Sequence, residues 1–360
     1  MSNVRSRIPT LVLGGTGYVA GEVIRLVLGH PQLELAGVMS DSQPGEPVGK
    51  AFPHLAAVLG QGDQQVRFKS QAEIETLVAT LPKSAIFSAA PHGVSAALID
   101  QLLQRSEAAG TDARVVDISA DYRYSTAEAY AAVYKHAHGA PARLKDFTCA
   151  VPEHLATAPT RHVAHPGCFA TATLLASVPL LAMKLATPTL FVSGVTGSTG
   201  SGRKPVDGTH HPTRHSDLYS YNALVHRHIP EITACAAAAS GVTADFAFVP
   251  HSGAFARGIH VTVQATLAQP IDTATVLAKL REFYANAPFI RVLDGAPRVK
   301  DIVASNYAHL SAAANGRTVA VMCVVDNLNK GAAGGAMQWM NRLLGFEETA
   351  GLTAPAAGWT

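Results

Sequence analysis

Four cysteines and a run of histidines are the residues of this chain best suited to covalent chemistry. Cys168 stands in His165-Pro166-Gly167-Cys168-Phe169-Ala170-Thr171-Ala172. Pro-Gly makes a turn, so the thiol falls at or just before the first turn of the helix expected over 169–184. Free N–H groups and the helix dipole favour a thiolate there, which is what a nucleophile needs. Cys323 lies in an apolar strand, Cys235 in an alanine-rich helix and Cys149 in a short strand-like run, FTCAV. These three read as small buried hydrophobes. A thiolate beside a nicotinamide suggests attack on an activated acyl group, a thioester that accepts hydride, and collapse to an aldehyde.

The histidines cluster at His210, His211, His215, His226 and His228. Their spacing lacks the regularity of zinc ligands and no carboxylate accompanies them, so no metal site is expected. His210, His211 and His215 read as solvated loop residues. In His226-Arg227-His228-Ile229-Pro230-Glu231-Ile232, Pro230-Glu231 marks a helix start. A histidine just upstream could serve a distant cysteine as general acid–base, with a pKa near the ordinary ~6.5.

A second chemical signal is Gly14-Gly15-Thr16-Gly17-Tyr18-Val19-Ala20, a G-x-x-G-x-x-A loop between strand and helix. Glycine lets the backbone turn and approach a pyrophosphate, which then meets the helix N-terminus. An ordinary strand–helix turn would use the same residues. After the next strand come Ser40-Asp41-Ser42. An acid there suits the ribose of NAD and hydroxyls suit the phosphate of NADP, so this loop is ambiguous by itself.

These residues need elements to position them. The 10–14 run ends in glycine, and Ala20, Val23, Ile24, Val27 and Leu28 then lie on one helix face. Strand-like 33–39, 85–90 and 114–118 alternate with helix-like 72–81 and 94–105. Repeated βα units imply a doubly wound parallel sheet. Further on, Ile259, Val261, Val263, Ala265 and Leu267 alternate and 317–325 is nearly continuously apolar, which predicts a second, α+β domain. A closing helix carries Ala333, Ala336, Met337, Met340 and Leu344 on one face.

The 360 residues, 48% hydrophobic and 15% charged, are too apolar for a disordered chain and long enough for two domains. The net charge of +2 shows no block of like sign, so neither nucleic acid nor a membrane surface is expected as partner. Scattered cysteines without a CxxC pair fit a reducing cytoplasm.

Taken together, GGTGYVAGEV, SAAPHGVS, DISADYR, HPGCFATA, SGVTGSTGSGRK, HRHIPEI, VPHSGAFARGI and DNLNKGAAGGAMQ resemble the N-acetyl-γ-glutamyl-phosphate reductase family over nearly the whole chain. The resemblance implies NADPH-dependent reduction of an acyl phosphate to a semialdehyde. It implies a Rossmann-type domain (1–165 and 327–360) with the C-terminal helix returning to it, and an α+β catalytic domain (166–326). It makes Cys168 the nucleophile and His226 the acid–base. Gly14, Thr16, Gly17, Tyr18, Val19, Ser40, Ser88, Pro91, Ser193, Gly194 and Asn327 would bind NADP(H), with Lys330 nearby. Arg123, Arg203, Glu231 and Arg257 are candidates for contacts to the substrate phosphate or carboxylate, or for positioning contacts. A homo-oligomer, dimer or tetramer, is implied. Two departures stand out: an extended TGSTGSGRK loop, and the His-rich segment 205–221. Both touch the substrate side and leave room for a carrier-protein-linked 2-aminoadipyl phosphate reductase. The aspartate-semialdehyde dehydrogenase type is opposed by HRHxPEI, and a non-catalytic nucleotide sensor by the joint presence of Cys168, His226 and the glycine loop.

Overall fold

The computed structural model describes residues 7–358, which divide into two compact units. The first comprises 7–149, 157–165 and 336–352; the second 150–156, 166–335 and 353–358. Residues 150–156, 327–335 and 353–358 thus group with the second unit, whereas the sequence reading placed them with the first. Glu153 and Lys330 tie the first two of these segments together through a buried ion pair.

In the first unit, six strands form a parallel sheet: β1 (Ile8–Leu13), β2 (Leu33–Val38), β3 (Lys83–Ser88), β4 (Asp112–Asp117), β5 (Phe147–Cys149) and β6 (His162–Ala164). Their order is β2-β1-β3-β4-β6-β5. The order reverses direction at β1, as in doubly wound folds, where ligands sit at the carboxyl ends of the strands. Leu11, Leu13 and Ile86 from the strands pack with Ile99, Leu102 and Leu103 of the Ser95–Ala109 helix. The last helix, Gly334–Leu344, supplies buried Met337, Trp339 and Met340. Within this unit its Asn341 amide oxygen lies 3.0 Å from His30 Nε2.

The second unit carries a mixed seven-stranded sheet: β7 (Ala186–Thr196), β8 (Tyr219–Ser220), β9 (Asp245–Ser252), β10 (Ile259–Leu267), β11 (Ile290–Val292), β12 (Ala308–Asn315) and β13 (Thr318–Val325), ordered β11-β12-β13-β10-β7-β9-β8. Alternation in β10 buries Ile259, Val261, Val263 and Ala265 and leaves Gln264 and Thr266 exposed. The buried face packs the Cys168–Ala182 helix, in which every residue from Phe169 to Leu181 is buried. Such a helix is hydrophobic all round because it has no solvent side. Among the described residues, no helix is long and apolar enough to cross a membrane.

Candidate active site

Cys168 is the first residue of its helix, and Gly167 is the N-cap, in extended conformation and without a side-chain cap. The Gly167 N–H instead donates to Glu231 Oε1 at 2.8 Å, and Glu231 is fully buried on the helix Ile229–Ser240. Glu231 thus holds the turn that presents the thiol, a positioning contact. A Cβ on Gly331 would lie 2.8 Å from Cys168 Cβ, so only glycine lets that backbone pass behind the nucleophile.

The thiol opens on a cavity of about 400 Å³ within the second unit. His226, Arg227 and His228 line it from one side, and Tyr219, Tyr221 and Asn222 from the segment before them. Thr196, Gly200, Ser201 and Ser252 complete the wall from the ends of β7 and β9 and the loop after β7. Both histidines are buried and their ring centroids lie 4.7 Å apart. His228, read from the sequence as a loop residue, therefore shares the cavity with His226.

His226 Nδ1 accepts the His228 backbone N–H at 3.3 Å, which leaves the proton of the neutral imidazole on Nε2. The ring sits among Phe169, Tyr221 and Phe248, with centroid separations of 5.9, 5.6 and 5.3 Å. Burial in this aromatic box, and next the charge of Arg227, push its pKa down to about 4. The near-neutral titration expected from the sequence is thus displaced: at neutral pH His226 is an uncharged N–H donor. Burial, and next the charge of Cys168, push the Tyr221 phenol up to about 12, which keeps it a donor too.

The remaining candidates divide. Arg257 is bound in a bidentate pair to buried Asp326, at 2.9 and 3.0 Å. Asn327 Oδ1 accepts from Gly258 N–H at 2.7 Å and its Nδ2 donates to Thr199 Oγ1 at 3.0 Å. These contacts hold loops in place. Lys330, expected near nicotinamide and substrate, is buried on Glu153. Ser193 lies exposed in the middle of β7, on the face away from the Cys168 helix. Gly194 faces that helix: a Cβ there would meet Phe169 Cε1 at 2.6 Å. Arg203 is exposed in the loop after β7. Arg123 belongs to the first unit and donates to the carbonyls of His165 and Ile118, at 3.0 and 2.9 Å.

The glycine loop of the first unit fits a dinucleotide. Gly14 has φ +73°, and a Cβ would sit 2.5 Å from Ala90 N. At Gly17 a Cβ would meet only Gly14 O at 3.9 Å, so space is open before the Tyr18–Leu28 helix, whose N-cap offers no side-chain acceptor. That is the open cradle of N–H groups a pyrophosphate requires. Thr16, Tyr18 and Val19 are at least partly accessible beside it. Ser40 Oγ is 3.4 Å from Ser42 Oγ after β2, and Asp41 is exposed. Pro91 is exposed after β3. Ser88 is different: its hydroxyl is buried, 2.7 Å from Ser95 Oγ, which donates to Asp117 at 2.9 Å. It anchors the loop. Among the described residues no group of histidine, cysteine and carboxylate side chains could hold a metal.

The match to known proteins has the same two parts. Residues 10–158 match the family profile described as "Semialdehyde dehydrogenase, NAD binding domain", and 168–327 match "Semialdehyde dehydrogenase, dimerisation domain". An N-acetyl-gamma-glutamyl-phosphate reductase from Pseudomonas entomophila (strain L48) is 37% identical over 349 residues, 95% of this chain and 96% of the relative. One from Desulforamulus reducens is 33% identical over 348 residues, again 95% and 96%. The chain belongs to the N-acetyl-gamma-glutamyl-phosphate reductase family of oxidoreductases. Solved structures carry the fold further afield. Aspartate semialdehyde dehydrogenase II of Vibrio cholerae superposes with a TM-score of 0.69 at 13% identity, covering 94% of this chain and 99% of that one. An aspartate-semialdehyde dehydrogenase-like protein of Pseudomonas aeruginosa gives 0.64 at 18%, covering 94% and 99%. For this reductase, as for those, the two-unit architecture is the common frame.

Proposed function

We propose that this reductase converts N-acetyl-γ-glutamyl phosphate to N-acetylglutamate semialdehyde through a thioester on Cys168, with NADP(H) as cofactor. The carrying observation is the shared cavity of Cys168 and His226, one at a helix start and the other held as a neutral Nε2–H donor. Cys168 Sγ attacks the acyl carbon, the C–O bond to phosphate breaks, and a thioester remains. A dinucleotide held by the glycine loop would supply the hydride that reduces this thioester. His226 Nε2–H then hydrogen-bonds the oxygen on which negative charge develops, a role that suits a neutral imidazole in a dry site. Collapse breaks the C–S bond, returns the electron pair to sulfur and frees the aldehyde. Glu231 and Gly331 keep the thiol at the cavity mouth throughout.

Gly14, Thr16, Gly17, Tyr18 and Val19 would cradle the pyrophosphate, with Pro91 beside it. Ser40 and Ser42 would take the 2′-phosphate, and Asp41, exposed, is free to turn away from it. Arg123 and Arg203 remain candidate substrate contacts. A homo-oligomer, dimer or tetramer, working in the cytoplasm completes the reading; the description of the profile matched by 168–327 and the four free cysteines support it. Absorbance at the NADPH band tests the reaction in reverse. N-acetylglutamate semialdehyde, NADP and phosphate together should generate reduced cofactor, and omission of phosphate should abolish it. A protein that reduces no cofactor under these conditions has another function.

A further inference from the structure

The His-rich segment 205–221 has no role in the chemistry above, yet it sends one cation inward. Arg214 ends the short helix His211–Arg214 and is 8% exposed. Its Nη1 donates to Ser252 Oγ and its Nη2 to the Gly253 carbonyl. Its Nε–H is buried and has no hydrogen-bond partner among the described residues, and none of their carboxylates pairs with the guanidinium. Ser252 lines the cavity of Cys168 and His226 and pairs in register with Tyr219, another lining residue.

A buried guanidinium without a counter-ion is costly, because burial removes the hydration of its charge. A tether for the loop would need no charge; neutral donors would hold Ser252 and Gly253 equally well. The arrangement makes sense when an anion completes it. The reductase reading provides one: the substrate carries a carboxylate at one end and a phosphoryl group at the other, and both must be held while sulfur attacks. We infer that Arg214 is a specificity-determining residue that binds an anionic oxygen group of the substrate, carboxylate or phosphoryl, at the Ser252 wall of the cavity. This rests on the proposed reaction.

The reverse assay separates the possibilities, because it presents the carboxylate (on the semialdehyde) and inorganic phosphate as different molecules. Arg214→Met should raise the KM of one of them by about tenfold or more, the loss of a charge-assisted hydrogen bond, with kcat nearly unchanged. A rise confined to the semialdehyde assigns the carboxylate, and a rise confined to phosphate assigns the phosphoryl group. Arg214→Lys, which keeps the charge but loses the fork, should fall between wild type and Arg214→Met. If both KM values stay within about twofold of wild type, or if only kcat falls, Arg214 is a loop tether and the inference is wrong. Should Arg214→Met not fold, judged by circular dichroism, Arg214→Lys and Arg214→Gln carry the same comparison. A wild-type protein inert in this assay would instead overturn the proposed reaction, so the two failures are distinguishable.

Discussion

Lys330 and Glu153 form an ion pair, 2.5 Å between Nζ and Oε1, with neither side chain exposed to solvent. Lys330 also lies 5.6 Å from the Phe289 ring centroid. Beside Glu153, His154 Nε2 is 2.9 Å from the Tyr284 hydroxyl, which donates to the Leu175 carbonyl at 2.7 Å. Leu175 lies in the helix that begins at Cys168, so this polar cluster grips the nucleophile's helix at mid-length.

Breaking the pair from one side leaves a buried charge alone. Lys330→Met or Glu153→Leu singly should destabilise by about 3–5 kcal/mol, and the double variant should recover most of that loss. Urea denaturation of all three checks it; additive losses in the double variant would mean the two side chains are not coupled.

Cys168→Ala should abolish turnover and leave dinucleotide binding intact, because the two lie in separate units. Alkylation followed by peptide mapping should find Cys168 modified before Cys235 or Cys323; both are buried, and burial raises the Cys323 thiol strongly. Near-wild-type activity in the alanine variant would remove the thioester from the mechanism.

His226→Asn should lower kcat by a factor of about 10²–10⁴, the range for loss of a proton-transfer or oxyanion group. Since its pKa is pushed down to about 4, wild-type kcat should show no limb near 6.5 that disappears in this variant. His228→Asn should cost less, as its backbone N–H, which orients His226, survives substitution. A neutral limb lost with His226 would show that substrate restores the imidazole to its ordinary range.

Stability should rise with pH between about 4 and 6.5. Burial pushes His154, His162 and His226 down to about 4 from the ordinary 6.5. Across that window the unfolded chain binds more protons at these sites, so raising the pH favours the fold. Asp117 opposes this: burial, then Asp121, raise it to about 6 from 3.8. Its contribution is complete below 3.8 and is lost as pH rises through about 6. Three groups outweigh one. Melting temperatures from pH 4 to 7.5 provide the check, and a curve that falls with pH would reverse the assignment.

Gly14→Ala places a methyl against the Ala90 backbone at a φ of +73°. It should weaken dinucleotide affinity by tenfold or more, since the strain and clash together exceed about 1.4 kcal/mol. Fluorescence titration with NADPH measures this; unchanged affinity would move the pyrophosphate away from this loop.

The sequence carried the helix start at Cys168, the glycine turn and most βα units, because spacing and turn residues are local signals. The contacts of polar residues inside motifs were not legible. Ser88, Glu231, Asn327 and Arg257 look alike whether they face a ligand or the protein, and only the fold shows their protein partners: Ser95, the Gly167 N–H, the Gly258 N–H and Asp326. Thr196, Tyr221 and Ser252 went unnoticed for the opposite reason: they become cavity walls through the β7–β9 and β8–β9 pairings, contacts between distant segments. The depressed titration of His226 likewise comes from Phe169 and Phe248, 57 positions before it and 22 after.

The interleaving of the two units also sets an order of assembly. Residues 336–352 belong to the first unit, and Leu352 and Trp339 are among its buried side chains. On the ribosome, the six-stranded sheet therefore emerges long before the last segment of its own unit. Synthesis from the N-terminus ordinarily lets domains fold in turn. The second unit waits as well, since Gly331 and Lys330 arrive after all of its sheet. Here the last strand, β13, and the segments after it must leave the exit tunnel before either unit can close.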